Sequence, residues 1–322
     1  MNILITSAGK RVSLVKIFKT EATKQNPNAR VLATDANPDL SAACQVADAS
    51  FKVPRVGDSS YVETLLDICK SNDIQLIIPT IDTELLILAE YKNIFLEAGI
   101  TPVICDKEFI HKCRDKRVIH DFFTEMRIDV AREFTKDAYE FPLFIKPSDG
   151  SRSIDTFLVE EKKFMEERFF QEERFMFLEY ISPQRFEEYT CDLYYDKQGY
   201  LKCAVPRKRI EVRDGEVNKG LTEHNALVPY IKEKMSFVEG ARGCLTAQFF
   251  KEKDGDRVVG IEVNPRFGGG YPLSYLAGAN FPKWIIDEYI FNKEVENNFD
   301  TWESNLLMLR YDNEILVHDF QH

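Results

Sequence analysis

Hydrophobic positions in the N-terminal third alternate between short apolar runs and helical spacing. Ile3-Leu4-Ile5, Val31-Leu32-Ala33 and Leu76-Ile77-Ile78 are runs of the kind that fill the middle of a parallel sheet. Between them, Val12 to Thr23 and Tyr61 to Lys70 carry apolar residues at helical periodicity. The alternation strand, helix, strand predicts a parallel α/β unit of Rossmann-like type. A helix over Glu84 to Ala98 and a strand over Thr101 to Ile104 continue it, so a first domain spans residues 1–106.

A helical segment, Lys107 to Arg127, leads through Val130 to Phe134 into a strand, Leu143 to Lys146, and a turn-rich loop, Pro147 to Ser153; a charged stretch follows over Glu160 to Arg174. The pattern then changes to hairpins. Tyr189 to Tyr195 and Leu201 to Val212 flank a turn at Lys197-Gln198-Gly199, and Asp214-Gly215 signals another. A helix around Tyr230 to Gly240 precedes two strands, Leu245 to Lys251 and Arg257 to Asn264, joined at Asp254-Gly255. The fold class is thus α/β followed by α+β, with a small lobe over 107–180 and a large lobe over 181–322.

Strand alternation gives the last hairpin its chemistry. Glu262 and Asn264 share one face of their strand while Ile261 and Val263 point to the core. A hairpin centred near Gly255 sets Gln248 opposite either Ile261 or Glu262, so three oxygen-bearing side chains converge. Hard oxygen donors with few charges suit Mg²⁺, or Mn²⁺ in its place, shared with phosphates; zinc would call for imidazole or thiolate. Pro265-Arg266-Phe267-Gly268-Gly269-Gly270 then places a guanidinium beside the metal on a bare loop. Taken alone, the same pattern also fits a solvated hairpin with turn glycines. Upstream, the strand Arg207-Lys208-Arg209 puts the two arginines on one face and the lysine on the other.

Composition narrows the function classes. Forty-two basic against fifty-three acidic residues give a net charge of −11, which argues against a general nucleic-acid surface or an anionic-membrane anchor. Seven scattered cysteines without a CxxC or Cys/His cluster read as reduced, mostly buried thiols. No basic-then-apolar leader and no apolar run near membrane-spanning length is visible, so the cytoplasm is the expected location. Thr6-Ser7-Ala8-Gly9-Lys10-Arg11 and Asp35 superficially resemble a dinucleotide site, but the GxGxxG fingerprint is missing and NAD is not expected.

The ordered segments Asp115-Lys116, Phe144-Ile145-Lys146-Pro147, Leu178-Glu179-Tyr180-Ile181, Glu187-Glu188-Tyr189-Thr190, Pro206-Arg207-Lys208-Arg209, and Gln248 with Glu262-Val263-Asn264-Pro265-Arg266 resemble the ATP-grasp superfamily. The likeness covers nearly the whole chain and is to its small members similar to one half of the carbamoyl phosphate synthase large subunit. It implies a pre-ATP-grasp N-terminal domain followed by a two-lobed ATP-grasp fold. Lys116 and Lys146 look like the phosphate-holding lysines, Glu179, Tyr180 and Ile181 resemble the adenine-contacting hinge, and Glu188 resembles the ribose carboxylate. By similarity Gln248, Glu262 and Asn264 would hold Mg²⁺, while Arg266, Arg207 and Arg209 would face an acyl phosphate; Lys219 is a further nucleotide-site candidate. Two departures stand out: the loop Ser148 to Ser153 carries only Gly150, and Leu178 replaces an adenine-reading Gln or Glu. In relatives the N-terminal domain helps shape the substrate cleft, and Asp82-Thr83-Glu84 has that reading or the plainer one of a helix cap.

The activity implied is an ADP-forming ligase that joins a small-molecule carboxylate to an amine through an acyl phosphate, with positioning and charge neutralisation carrying the chemistry. A homodimer is the expected assembly. The competing readings are an ATP-binding sensor or partner module without turnover, and a partial activity of carbamoyl phosphate synthase type.

Overall fold

A computed structural model describes residues 1–149, 154–213 and 215–320. Residues 150–153 of the expected loop and Asp214 of the expected turn lie outside the described residues.

The N-terminal apolar runs form a five-stranded parallel sheet in the order β3-β2-β1-β4-β5. Its elements are β1 (Asn2–Thr6), α1 (Val12–Gln25), β2 (Arg30–Asp35), α2 (Ala42–Val46), β3 (Ala49–Lys52), α3 (Tyr61–Ser71), β4 (Ile74–Pro79), α4 (Asp82–Glu90), α5 (Lys92–Glu97) and β5 (Thr101–Pro102). The single helix expected over Glu84 to Ala98 is two helices that meet at Tyr91. α2 and β3 escaped sequence reading because a four-residue strand with half-buried, alternating positions carries little periodic signal.

The expected helix Lys107 to Arg127 is likewise two, α6 (Lys107–Arg114) and α7 (Lys116–Glu125). Asp115 adopts an extended conformation between them and its carboxylate accepts from the Arg117 amide at 2.7 Å, capping α7. The connecting segment around Val130 to Phe134 contains two short strands, β6 (Asp129–Val130) and β7 (Glu133–Phe134), which join different sheets.

β7, β8 (Leu143–Pro147), β9 (Phe157–Val159) and β10 (Phe175–Glu179) form an antiparallel sheet in the order β7-β10-β8-β9. α8 (Glu167–Gln171) sets Phe169 against it, and Leu143, Ile145, Val159, Phe169, Phe175 and Phe177 make a separate small core. The rest is a seven-stranded sheet in the order β16-β13-β12-β11-β14-β15-β6, from β11 (Phe186–Tyr195), β12 (Leu201–Arg213), β13 (Glu216–Thr222), β14 (Gly243–Glu252), β15 (Val258–Asn264) and β16 (Leu307–Leu309). The helices α9 (Leu227–Lys234), α10 (Tyr271–Leu276) and α11 (Phe281–Tyr289) cover it. The architecture is a parallel α/β domain followed by a small antiparallel lobe and a lobe built on the seven-stranded sheet.

One continuous core joins the five-stranded and seven-stranded sheets. Phe18 of α1 meets Phe267, which follows β15, edge to face at 5.7 Å, and Phe123 of α7 meets Phe249 of β14 at 5.7 Å. Gly260 is required there, since a Cβ would sit 2.6 Å from the Phe123 ring. All seven cysteines are free, six buried and Cys113 half-buried. Among the described residues no helix is long and apolar enough to cross a membrane.

Candidate active site

Strand register builds the polar face of the large sheet. Glu262 of β15 pairs with Gln248 of β14, Gln248 with Thr190 of β11, Thr190 with Arg207 of β12, and Arg207 with Thr222 of β13. Directly paired residues share a face, so these five side chains form one row across five strands. The next row is Asn264, Thr246, Asp192 and Val205, and the row on the other side holds Phe250, Glu188 and, beyond them, Arg209. The intervening residues, Tyr189, Cys191, Leu193, Ala247, Phe249 and Val263, enter the shared core. Ile261 departs from the expected pattern by remaining half-buried, whereas Val263 is 1% exposed.

Of the two registers the sequence leaves open, the structure has Gln248 opposite Glu262. Gln248 Nε2 and Asn264 Nδ2 both donate to Glu262 Oε1, at 3.0 and 2.9 Å. Among the described residues there is no grouping of three or more His, Cys, Asp or Glu able to hold a metal. One carboxylate flanked by two amides is a poor protein-only cage, but it fits a hard cation that takes its other ligands from water and phosphate.

Two lysines oppose this cluster. Lys146, on β8 of the small lobe, is 7% exposed, and its pKa is pushed down to about 8, chiefly by burial; Glu262 opposes that shift and Lys116 adds to it. Lys116 opens α7, and its amide donates to the Ser148 carbonyl at 2.8 Å, tying the helix to the end of β8. Burial lowers its pKa too, and Glu262 is the strongest charge raising it. His120, one turn further along α7, is 6% exposed, and burial with Lys146 and Lys116 pushes its pKa down to about 3, so it is neutral. Sequence reading missed it; its signal was the four-residue spacing from Lys116.

The arginines divide. Arg266 bonds Asp82 through Nε at 3.1 Å and Nη2 at 2.6 Å, and its Nη2 also lies 3.5 Å from Asn264 Oδ1. Asp82 is therefore not the helix cap of the plainer expectation; α4 begins after Ile81, without a side-chain cap. Arg209 pairs with Glu188 at 3.0 Å and donates to Thr190 Oγ1 at 3.3 Å. Burial raises the Glu188 carboxyl, Arg209 lowers it and Glu262 raises it again. Arg207 does not reach an open cleft as expected: it is 1% exposed and bidentate to Asp192, at 2.7 and 3.0 Å. Ser274 and Thr246 also donate to Asp192, completing a buried network that orders the sheet floor. Lys219 pairs with Glu211 at 2.6 Å, both side chains about half exposed, and shows no contact with the oxygen cluster among the described residues.

At the lobe junction the Glu179 carboxylate is taken up by Arg257 at 2.8 and 2.9 Å, and its amide donates to the Arg132 carbonyl. Ile181 packs with Phe186 and Val259, while Tyr180 lines a cleft with Phe134, Phe141 and Pro142. The buried Leu178 pairs in register with Phe144, leaving an apolar strip on this face of the small sheet.

Two family models match the chain: the PylC-like N-terminal domain over residues 3–104, and the ATP-grasp domain of the biosynthetic pathway with the Ter operon over residues 171–308. No curated protein matches. Among solved structures, the biotin carboxylase domain dimer of Hydrogenobacter thermophilus 2-oxoglutarate carboxylase, complexed with MgADP, ADP and bicarbonate, is 13% identical, covers 95% of this chain and 73% of that one, and superposes with a TM-score of 0.71. N5-carboxyaminoimidazole synthetase of Staphylococcus aureus is 16% identical over 92% of this chain and 78% of that one, with a TM-score of 0.67. Rhizobium etli pyruvate carboxylase is 13% identical over 95% of this chain, with a TM-score of 0.70, and the chain spans 30% of its length. Both family models match in chain order, the second of them an ATP-grasp model over residues 171–308, and the fold is shared with these structures along nearly the whole chain.

Proposed function

We propose that the protein is an ADP-forming ligase that activates a small-molecule carboxylate with Mg-ATP and joins it to an amine. The observation that carries this reading is the opposition of Lys116 and Lys146 to Glu262, with Gln248, Asn264 and Arg266 beside it. The bound MgADP of the Hydrogenobacter thermophilus carboxylase domain supports it.

Lys116 and Lys146 would hold nucleotide phosphate oxygens as compact ammonium charges. Glu262, Gln248 and Asn264 would hold Mg²⁺, with Mn²⁺ as a substitute. Bound there, the ion would neutralise charge between the phosphates. Glu188 would accept from ribose hydroxyls, and the apolar strip at Phe144 and Leu178 with the backbone at Tyr180 and Ile181 would receive the base. Arg266, fixed by Asp82, would align the substrate carboxylate with the γ-phosphate, with Arg209 close by. Arg207 would act by holding the sheet floor through Asp192.

A carboxylate oxygen would attack the γ-phosphorus as the bond to ADP breaks, giving an acyl phosphate. The amine would then attack the acyl carbon, phosphate leaving with the bonding electrons and the amine losing a proton. Closure of the small lobe would exclude water from the acyl phosphate.

The test is ADP and phosphate release over pooled carboxylates and amines, with mass spectrometry of the product. Substrate-dependent release that collapses in Glu262→Ala is expected. Tight nucleotide binding with no turnover over the whole pool would instead favour the sensor reading.

A further inference from the structure

Beside the oxygen cluster, four cations from three distant parts of the chain gather around two carboxylates. The loop after β1 supplies Lys10 and Arg11, the loop after β15 supplies Arg266, and the segment after β16 supplies Arg310. Glu216 alone faces three of them: Arg310 Nη1 at 3.0 Å, Arg11 Nη1 at 3.6 Å and Lys10 Nζ at 3.7 Å. Asp82 is taken by Arg266 at 2.6 Å. In a chain of net charge −11, this is a local excess of positive charge.

The arrangement is built for close approach. A Cβ at Gly269 would stand 2.7 Å from both Arg11 Nη1 and the Glu216 carboxylate carbon, and one at Gly270 would overlap Arg207 Nη1. A side chain at either position would have to push these groups aside, so glycine suits the loop. Arg310 Nη2 donates to the Gly269 carbonyl, which anchors the loop.

The cations are also incompletely matched. At 3.6 Å, the contact of Arg11 with Glu216 is too long for a charge-assisted hydrogen bond, although the Arg11 side chain is only 18% exposed. Buried guanidinium groups are costly to leave short of acceptors, so an anion added here gains more than one added at an open surface.

We propose that this cluster receives a second anionic group, a carboxylate or a phosphate, on the substrate activated next door, and that Glu216 occupies its place until the substrate displaces it. This names the substrate class of the ligase reading and rests on it: Arg266 touches both the oxygen cluster and Asp82, so one molecule spans the two halves. Monoanionic acids would leave Arg11 and Arg310 on Glu216.

Titration calorimetry with and without Mg-AMP-PNP tests this, using succinate and glutarate against their chain-matched monoanions butyrate and valerate, and 3-phosphonopropionate for the phosphate arm. Dianions are expected to bind at least tenfold more tightly than monoanions. Arg11→Gln and, separately, Arg310→Gln are expected to erase most of that preference while AMP-PNP affinity and melting temperature hold. Glu216→Gln is expected to tighten dianion binding several-fold. A stronger phosphonate than dicarboxylate series identifies phosphate as the group, and the reverse order identifies carboxylate. Equal affinities for dianions and monoanions, absence of binding by either, or weaker dianion binding in Glu216→Gln would overturn the proposal. Failure of AMP-PNP to bind would count against the ligase reading alone, because the anion preference is read without nucleotide as well.

Discussion

The small lobe packs six buried side chains into a core of its own, whereas the sheet that carries Glu262 shares its core with the N-terminal sheet. Lys146 therefore sits on a unit with its own core, while Glu262, Gln248, Asn264 and Arg266 sit on the body whose sheet shares the larger core. α7 stands between the two: its Phe123 packs on Phe249 of the body, and its first amide is bonded to Ser148 of the small lobe. The difference teaches how the proposed nucleotide site could be both precise and able to open. The oxygen cluster and the arginines are held by the shared core, and the lysine on the separately packed small lobe is the part expected to move on closure.

The strongest way to break this comparison is on the body side. Glu262→Ala removes the carboxylate that both amides hold, and turnover is expected to fall by about 10²–10³-fold, as for loss of a single transition-state electrostatic partner. Thermal melting should show the fold intact, because Glu262 lies on the polar face and not in the core. A large drop in melting temperature with a proportionate loss of activity would make the cluster structural.

On the small-lobe side, Phe177→Ala deletes a ring from a core of six side chains and is expected to cost about 3–4 kcal/mol. Hydrogen exchange should report faster exchange in β8 and β10 with β11 and β14 still protected. Uniform loss of protection would show that the lobe is not an independent unit.

At the seam, His120 links the two regions through pH. Its folded pKa of about 3 lies below the ordinary value, so the unfolded chain binds more protons between those two values and stability falls as pH falls through that window. Between pH 7 and pH 5 this one group is expected to remove on the order of 2 kcal/mol. His120→Gln should flatten that part of the stability curve, measured by denaturant unfolding at both pH values; an unchanged slope would acquit the histidine.

The smallest effect concerns Lys146. With a pKa of about 8 in the free protein, its charge is lost as pH rises from 7 to 9, and nucleotide affinity should weaken by up to about tenfold. Lys146→Arg keeps its charge and should show a flatter profile in nucleotide titrations, even where its absolute affinity is lower.

Much of the strand pattern behind the candidate site was readable from sequence because strand geometry is local. Period-two alternation places Glu262 with Asn264, and Arg207 with Arg209 apart from Lys208; the structure has these faces. The hairpin at Gly255 limited the register to two choices, of which packing selected one. Alternation names the face of a strand but not what lies across from it. Arg207 and Arg209 look equivalent on the strand, yet one is sealed against Asp192 and the other meets Glu188 at the edge of the cleft.

The sequence by itself determined the parallel N-terminal unit, the hairpin lobe and the oxygen-bearing strand, since each follows from periodicity within a few residues. Only the tertiary structure decided that Asp82 holds Arg266 across 184 residues, that Glu216 gathers Arg11 and Arg310, and that His120 is buried within the field of two lysines. Those are contacts between surfaces that no local pattern encodes. They form because burying the two sheets against one common core brings loops from distant parts of the chain to the same edge, where charge must find charge.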